Sequence, residues 1–468
     1  MTNVILVNTN TTQPLVGPLG LDYLARALEV RGLKAEILDL ALAQDPEKAI
    51  REKFKKTQPA AVGITVRNTD DCCYPSRDFF LPGIKNIIRK IRQSTDAPLV
   101  LGGVGFSVMP AAVLEFLNAD FGIWGEGEET FPCLVLEMIH GKKFWKVPGL
   151  VWKKNNEFIM NPARAFDLAN TAVQPRNFID NMSYFMRGGM AGIESKRGCD
   201  RRCIYCADPL AKGRKIRRRK PGSVADEFKT LLSMGITHFH ICDSEFNRPY
   251  EHAMAVCREL IKRRLGEKIR WYAYLSPKPF DKKLANAMKK AGCAGINFGA
   301  DSADDAILRR LGRDHASADL RKTAEICHAC RIVFMYDLLL GGPGETKASI
   351  RKTIETMKRI NPSRIGASYG VRIYPGTIMA KIARREGVVS EENNFLRPVF
   401  YLSKAVGNEP GRLVASIVRN DERFLFTATA ASAVDIYNYN ENTTLVEAIR
   451  NGARGAFWDI LRRAKTNE

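Results

Sequence analysis

Over the first 140 residues, short β-branched runs alternate with stretches whose apolar positions recur at helical spacing, the pattern of a parallel sheet covered by helices on both faces. Five strands are expected, at Val4–Asn8, Ala35–Leu40, Ala60–Val66, Pro98–Leu101 and Phe121–Trp124. Amphipathic helices fall between them at Gly20–Arg31, which Gly32 stops, at Asp78–Gln93 and at Glu129–His140. Such a sheet holds ligands beyond the carboxyl ends of its strands, which directs attention to the loops NTNTTQP, VRNTDDCC, LGGVGFS and WGEGEET. In the last two, Gly102, Gly103, Gly125 and Gly127 either let backbone approach a flat or phosphorylated ligand or simply turn the chain into the next helix.

From about Trp145 to Gly192 the alternation stops, and KVPGLVWKKNNEFIMNP reads as a small hairpin around Asn155 and Asn156 followed by an irregular connection. It then resumes, with strands near Gly192–Ser195, His238–Cys242, Ile269–Tyr274, Gly295–Phe298, Ile332–Leu338 and Ile365–Tyr369. Helices are expected near Ser223–Gly235, Tyr250–Arg264, Asp281–Ala291, Ser317–Ala329 and Thr346–Ile360. Six such units predict an incomplete barrel, with its chemistry on the loops after the strands. Past Pro398 the pattern weakens, apart from one final helix that opens at Thr444 and Glu447 and turns Leu445, Ile449, Ala453, Phe457 and Ile460 inward. The expected α/β organisation is a doubly wound, flavodoxin-like or Rossmann-like domain over residues 1–144, a linker over 145–190, a partial TIM-type barrel over 191–397 and an α-rich cap over 398–468. Tyr437, Tyr439, Phe457 and Trp458 of the cap either wall an apolar pocket or pack its core.

Composition narrows the class. At 468 residues and 45% hydrophobic content the chain has the size and apolar share of two or three ordinary globular domains, which excludes disorder. The longest uncharged run, Ala97–Leu114, is broken by Pro98, Gly102, Gly103, Gly105 and Pro110, so no transmembrane segment is expected. The start, MTNVILVNTN, has no basic region or cleavage-like site, and a cytoplasmic location is expected. Eleven cysteines without a regular framework then argue for free thiols or a metal. The net charge of +21 peaks in KGRKIRRRK, Lys212–Lys220, which reads as a solvated face or as a pointer to an anionic ligand.

Three of the cysteines lie in KRGCDRRCIYC, directly after the first strand of the second alternating region. Zinc sites usually close with four protein ligands, whereas Cys199, Cys203 and Cys206 leave one position unfilled and have no histidine nearby in sequence. A four-iron cluster held by three thiolates leaves one iron open to a small chelating molecule. This CxxxCxxC after a barrel-opening strand resembles the radical S-adenosylmethionine enzymes from about Gly192 to Gly387. The resemblance implies that the methionine amino and carboxylate groups chelate the open iron, that an electron from the cluster cleaves a sulfur–carbon bond to give a 5′-deoxyadenosyl radical, and that a flavodoxin- or ferredoxin-like donor supplies that electron. It also implies a place for Tyr205 beside adenine and for Asp243 and Glu245 of CDSEF against the methionine ammonium. GADSA resembles a GxES segment, with Ser302 retained and Asp301 replacing the Glu, a departure that bears on a ribose or carboxylate role for Asp301. LLGGPGET, with Gly342 and Gly344, resembles the turn lining adenine, or is a strand-to-helix turn capped by Glu345 and Thr346. The flanking Lys196, Arg197, Arg201 and Arg202 are expected to favour thiolates and a reduced, anionic cluster. CHAC, Cys327–Cys330, lies inside a helical pattern and reads as core rather than a second metal site.

A doubly wound domain ahead of such a barrel resembles the cobalamin-binding radical enzymes, a resemblance covering about 380 residues. It implies that LGGVGFSVMP and WGEGEETF, including Gly102, Gly103, Gly125, Glu126, Gly127 and Glu128, hold the corrin and its nucleotide tail. Histidines occur only at 140, 238, 240, 252, 315 and 328, so the first domain's ligand-facing loops offer cobalt no imidazole. Arg67 of VRNTDD resembles instead an arginine that faces the lower side of cobalt in the tryptophan 2-methylase branch, unless it pairs with Asp70 or Asp71. An unligated lower face favours four-coordinate Co(I), a nucleophile able to take a methyl cation. The expected activity is methyl transfer from S-adenosylmethionine through cobalamin to a carbon or phosphorus centre of a small molecule or peptide. A cyclisation or rearrangement with the same cofactors is the alternative. An RNA-modifying enzyme of the methylthiotransferase kind fits less well, because only Cys72, Cys73 and Cys133 are available for a second cluster and two of them are adjacent; a nucleic-acid partner is not expected.

Overall fold

The computed structural model describes residues 2–155, 157–171, 174–426 and 442–466. Strands β1 (Asn3–Asn8), β2 (Lys34–Asp39), β3 (Ala61–Thr65), β4 (Leu99–Gly102) and β5 (Phe121–Ile123) form a parallel sheet in the order β2-β1-β3-β4-β5. This is a doubly wound order whose strand succession reverses between β1 and β3, the switch point where such sheets bind ligands. Val4–Val7, Ala61 and Val62 are fully buried because helices cover both faces. The helix expected from Asp78 starts later, at Leu81, because Asp70 bridges to Phe79 and holds that stretch extended.

The hairpin expected in the linker forms, from β6 (Leu150–Lys154) and β7 (Glu157–Met160), with Asn155 in the left-handed region at φ 49°. Asn156 lies outside the described residues. β6 pairs antiparallel with β5, so the first sheet runs past the expected boundary at residue 144. The apolar alternation of Leu150, Val151 and Trp152 gives this hairpin a face to bury against the first core.

The barrel begins with β8 (Ala191–Ile193), then a two-residue ribbon of β9 (Lys196–Arg197) against β10 (Arg217–Arg218), and continues through β11 (His238–Ile241), β12 (Arg270–Leu275), β13 (Cys293–Asp301), β14 (Phe334–Leu340) and β15 (Arg364–Tyr369). The six long strands are parallel and adjacent in chain order, the partial barrel that the sequence predicts. β16 (Val371–Arg372) pairs with β17 (Phe400–Tyr401), and β18 (Phe424–Leu425) adds a seventh parallel strand beside β15, so the barrel sheet recruits chain from beyond residue 397. Alternate residues such as Phe239, Ile241, Trp271, Phe298, Phe334 and Ile365 face outward under the helices and make the largest core. Cys327 is buried there on its helix, the packing role expected for CHAC.

The single closing helix expected from Thr444 is two helices, Thr443–Arg450 and Phe457–Thr466, with Gly452 (φ 95°) and Gly455 (φ 127°) between them. Ala453 is therefore not helical, and the cap is Asn442, whose side chain accepts from Leu445 N at 2.9 Å. Trp458 closes the amino-terminal end of the barrel, edge-to-face with Tyr272 at 6.1 Å, where Gly295 leaves room for its indole. Phe457 packs partly buried against the short closing helices, and Tyr437 and Tyr439 lie outside the described residues. Among the described residues no helix is long and apolar enough to cross a membrane.

Candidate functional site

The cysteine loop leaves the barrel at β8 and is fixed by backbone bonds on both sides. Cys199 N donates to Gly213 O at 3.1 Å and Ile204 N to Leu311 O at 3.1 Å. Gly198, at φ 91°, packs so closely on Lys215 O that no side chain fits there. The thiols of Cys199, Cys203 and Cys206 are free, and burial raises all three, Cys206 to about 12 with Asp208 adding to it. Among the described residues no three His, Cys, Asp or Glu side chains close on a single metal ion. Three free thiols on one loop suit a cluster that takes each thiolate at a different iron.

Arg313, which the sequence reading missed, donates from Nη1 to Cys203 Sγ at 3.1 Å and from Nη2 to Gly299 O at 2.7 Å. Its Nε is 3.4 Å from Asp301, and Glu245 lies 3.9 Å away. Glu245 also receives Arg201 Nε at 2.7 Å. Tyr205 donates its hydroxyl to Asp301, which sits at φ 59°. Tyr205, Glu245 and Asp301 thus converge on the cysteines.

Four further expected site residues, Asp243, Ser302, Gly342 and Gly344, have structural partners of their own. Asp243 is buried and accepts from Ser195 N at 2.8 Å, from the Ser195 hydroxyl and from Lys196 N at 3.2 Å, so its oxygens are occupied in tying β11 to the chain after β8. Ser302 is fully buried, with its hydroxyl 3.0 Å from Thr353 Oγ1 and accepting from Asp304 N. Gly344 sits at φ 75°, a conformation that favours glycine, while Gly342 packs on Leu311. The LLGGPGET turn is self-contained: Glu345 Oε2 accepts from Gly341 N at 2.6 Å and Gly342 N at 3.3 Å, and Thr346 caps the next helix through Ser349 N.

Burial pushes the Glu345 carboxyl up to about 7, and its Oε1 has no partner. A carboxyl raised from 4.5 stabilises the fold fully below pH 4.5 and loses that contribution as pH climbs through 7. Glu345→Gln is therefore expected to flatten the loss of thermal stability between pH 5 and 7, by up to about 3 kcal/mol, in melting curves taken across that range.

Across from the cysteines, the carboxyl ends of β3, β4 and β5 enclose a largely apolar cavity of about 230 Å³ lined by Gly102, Gly103, Gly125, Glu126 and Gly127, with Glu194, Arg197 and Lys212 on the barrel side. Beside Gly102 nothing stands within 4 Å of where a Cβ would be, whereas Gly103 (φ 101°) and Gly105 serve the fold by letting Val66–Asn68 pass over the following helix. That loop presents Arg67. Neither suggested partner is free: Asp70 binds Arg372 at 2.8 Å and Asp71 binds Ser76 and Cys73 N. Arg67 makes no ion pair among the described residues and is lowered by burial, with Cys242 and Tyr274 of the barrel as the groups that counter the shift. It lies in the space between the two sheets.

The acids Glu126 and Glu128, expected at the cofactor, line this cavity and also bind across the domain interface. Glu126 receives Arg197 at 3.0 Å and Arg217, Glu128 receives Arg197 at 2.5 Å, and Glu194 receives Arg197 at 2.7 Å. A second knot lies behind it: Arg176, buried, binds Asp22 at 2.5 Å and Glu227 at 2.6 Å, and Arg219 and Tyr23 also bind Glu227. The basic run Lys212–Lys220 is therefore partly internal wiring, through Lys212, Arg217 and Arg219, while Arg214, Lys215, Arg218 and Lys220 stay exposed. Sequence alone gave Arg176 no signal, because an isolated arginine in irregular chain looks like surface.

The radical SAM superfamily profile matches residues 193–357, and the B12 binding domain profile matches residues 5–135. The chain is 28% identical to tryptophan 2-C-methyltransferase of Streptomyces laurentii, over 97% of this chain and 95% of the relative. It superposes with a TM-score of 0.92 on the methyltransferase TsrM of Kitasatospora setae, solved with tryptophan substrate and an S-adenosylmethionine analogue bound, at 28% identity and covering 100% of this chain and 98% of that one. A second TsrM structure, with cobalamin and a [4Fe-4S] cluster bound, superposes at 0.88.

Proposed function

On the premise that this chain is a cobalamin-dependent radical S-adenosylmethionine methyltransferase, carrying a [4Fe-4S] cluster, we propose that its own residues divide the work between the two faces described above. Cys199, Cys203 and Cys206 hold the cluster in the barrel mouth, and Tyr205, Glu245, Asp301 and Arg313 line the space beside it for S-adenosylmethionine. Cobalamin fits the opposite face, with its nucleotide tail in the cavity past Gly102, Gly125 and Gly127 and its corrin between Arg67 and the barrel. When bound, cobalamin supplies a metal centre able to accept a methyl group from S-adenosylmethionine and pass it to a substrate.

Arg67 cannot donate a lone pair, so toward a bound corrin it would act as a cation and not as a ligand. Its unpaired state is what suits that role, since a carboxylate partner would hold it aside. Arg197 and Arg176 fix the two faces relative to each other, and the closed barrel end at Trp458 keeps water from entering behind the substrate. The exposed Arg202, Arg214 and Lys215 beside the cysteine loop offer a cationic face to an acidic flavodoxin- or ferredoxin-like donor. The observation that carries this reading is a loop of three free thiols on the barrel, a glycine-lined cavity at the carboxyl ends of the first sheet, and an Arg67 without an ion-pair partner among the described residues whose charge reaches Cys242 and Tyr274 of the barrel.

Tryptophan, the substrate bound in the TsrM structure, is the first candidate. Anaerobic enzyme given S-adenosylmethionine labelled in its methyl group is expected to move label onto a small-molecule acceptor; nucleotide cleavage with no methyl transfer goes against the reading. Arg313 has its own prediction. Because its hydrogen bond to Cys203 favours the more negative, reduced cluster, Arg313→Gln is expected to lower the cluster's midpoint potential in an electron paramagnetic resonance titration by about 60 mV, the one-electron equivalent of about 1.4 kcal/mol.

A further inference from the structure

The loop that carries Arg67 belongs to the first sheet but is fastened to the barrel. Where it leaves β3, the Val66 and Arg67 carbonyls both accept from Gly105 N, at 3.0 and 2.9 Å. Beyond Arg67 it closes on itself, with Phe80 N donating to Thr69 O at 2.9 Å and Asp71 N to Asp78 O at 3.1 Å. Its tip crosses to the end of β15 and the ribbon of β16 and β17. Tyr74 stands edge-to-face with Tyr369 at 5.9 Å and with Phe400 at 5.7 Å, and a Cβ at Gly370 (φ 78°) would strike its ring. The Tyr374 hydroxyl lies 2.9 Å from Cys72 Sγ. The backbone around Arg67 is thus held from both domains, while its side chain has no ion-pair partner among the described residues.

Asp70 is the centre of this contact. It is 1% exposed and receives Arg372 twice, from Nη2 at 2.8 Å and from Nε at 3.1 Å. It also receives the Thr69 hydroxyl at 2.9 Å and Cys72 N at 3.1 Å. Arg372 is itself buried, and it donates further to the Ile373 and Phe395 carbonyls. A buried carboxylate without a cation beside it is costly, so in the absence of Arg372 the Asp70 side chain would draw in another. Arg77 of the same loop is held over the Tyr74 ring at 4.7 Å. Arg67 is the unpaired one, and it lies only three residues before Asp70, a length of chain that spans at most about 10 Å.

We propose that Arg372 is a positioning residue for Arg67: by occupying Asp70 it denies Arg67 the carboxylate of its own loop and leaves that guanidinium free for the corrin. Because Arg372 comes from the barrel and Asp70 from the first domain, Arg67 is freed only where the two are docked. The inference rests on the cobalamin reading proposed above.

Electron paramagnetic resonance of the anaerobic enzyme loaded with cob(II)alamin tests it, because the signal separates cobalt without a lower axial ligand from cobalt that carries water there. Wild type is expected to show the unligated form. In Arg372→Gln, Asp70 captures Arg67 and water reaches the lower face, so the water-ligated share is expected to rise at least about tenfold. Adding Asp70→Asn to Arg372→Gln removes the capturing charge and is expected to restore the wild-type signal, although the tie between loop and barrel is still missing. Arg372→Lys keeps the cation and is expected to match wild type. A wild type that is already water-ligated, a wild-type signal in Arg372→Gln, or a double variant as altered as the single one overturns the proposal; the last result would mean that Arg372 only fastens the loop. If Arg372→Gln does not fold, the double variant decides alone, with the unligated form supporting the proposal and the water-ligated form overturning it. Failure of the underlying reading would show separately, as a wild-type chain that takes up no corrin, and would take the proposal with it.

Discussion

Replacing Cys203 with alanine is expected to leave a folded chain that has lost its iron and, with it, all detectable methyl transfer. Of the three cysteines this one is also the acceptor of the Arg313 hydrogen bond at 3.1 Å, so the substitution removes a ligand and leaves that guanidinium Nη1 without its thiol acceptor. A cluster held by only two thiolates loses an anchor from an already open site, and metal affinity depends on each deprotonated ligand. Iron per chain is the direct readout, with corrin content as the internal reference. Corrin is expected to persist, because the cavity past Gly102, Gly125 and Gly127 is built from strands of the other sheet. A variant that keeps its iron and its methyl transfer would mean that the ligand set is elsewhere.

The second large effect is on stability and lies far from any cofactor. Arg176→Met is expected to destabilise the chain by about 3–5 kcal/mol in denaturant unfolding, the usual cost of stripping one partner from a buried ion pair. Asp22 and Glu227 would be left without their shared cation, from helices of the first domain and the barrel respectively, and only Arg219 and Tyr23 would still reach Glu227. Burial already raises the Asp22 carboxyl despite Arg176, so part of the loss should be recovered at low pH, where both acids are neutral. The double substitution Arg176→Met with Asp22→Asn is expected to recover part of it at neutral pH. A loss below about 1 kcal/mol, the size of a surface pair, would show that the knot does not hold the domains together.

What could be read from the chain itself follows a physical division. Strands buried on both faces, such as Val4–Val7 and Leu99–Leu101, declare themselves as continuous apolar runs, and a spacing of three cysteines after a strand carries its chemistry in the residue types. The hairpin at Asn155 was legible, but its attachment to β5 was not, because pairing partners depend on which edge is free. The protein partners of Asp243 and Glu126 were not legible, for a single reason. A carboxylate in a promising loop looks the same in sequence whether it meets a ligand or a neighbouring backbone amide and arginine, and only the fold shows that Ser195 and Arg197 had already claimed them. Arg313 and Arg176 were missed for the converse reason: nothing marks a lone arginine as buried until its partners are assembled from several elements. The end of the chain was read as one helix because its apolar spacing is continuous across Gly452, whose positive φ breaks the element that the spacing suggests.

The most direct test of the account is to purify the chain without oxygen, reconstitute it, and measure iron and corrin per chain together with the visible spectrum. The account predicts about four irons and about one corrin per chain, with a spectrum free of imidazole coordination to cobalt. Iron without corrin after reconstitution, corrin without iron, or a corrin ligated by histidine would each contradict it.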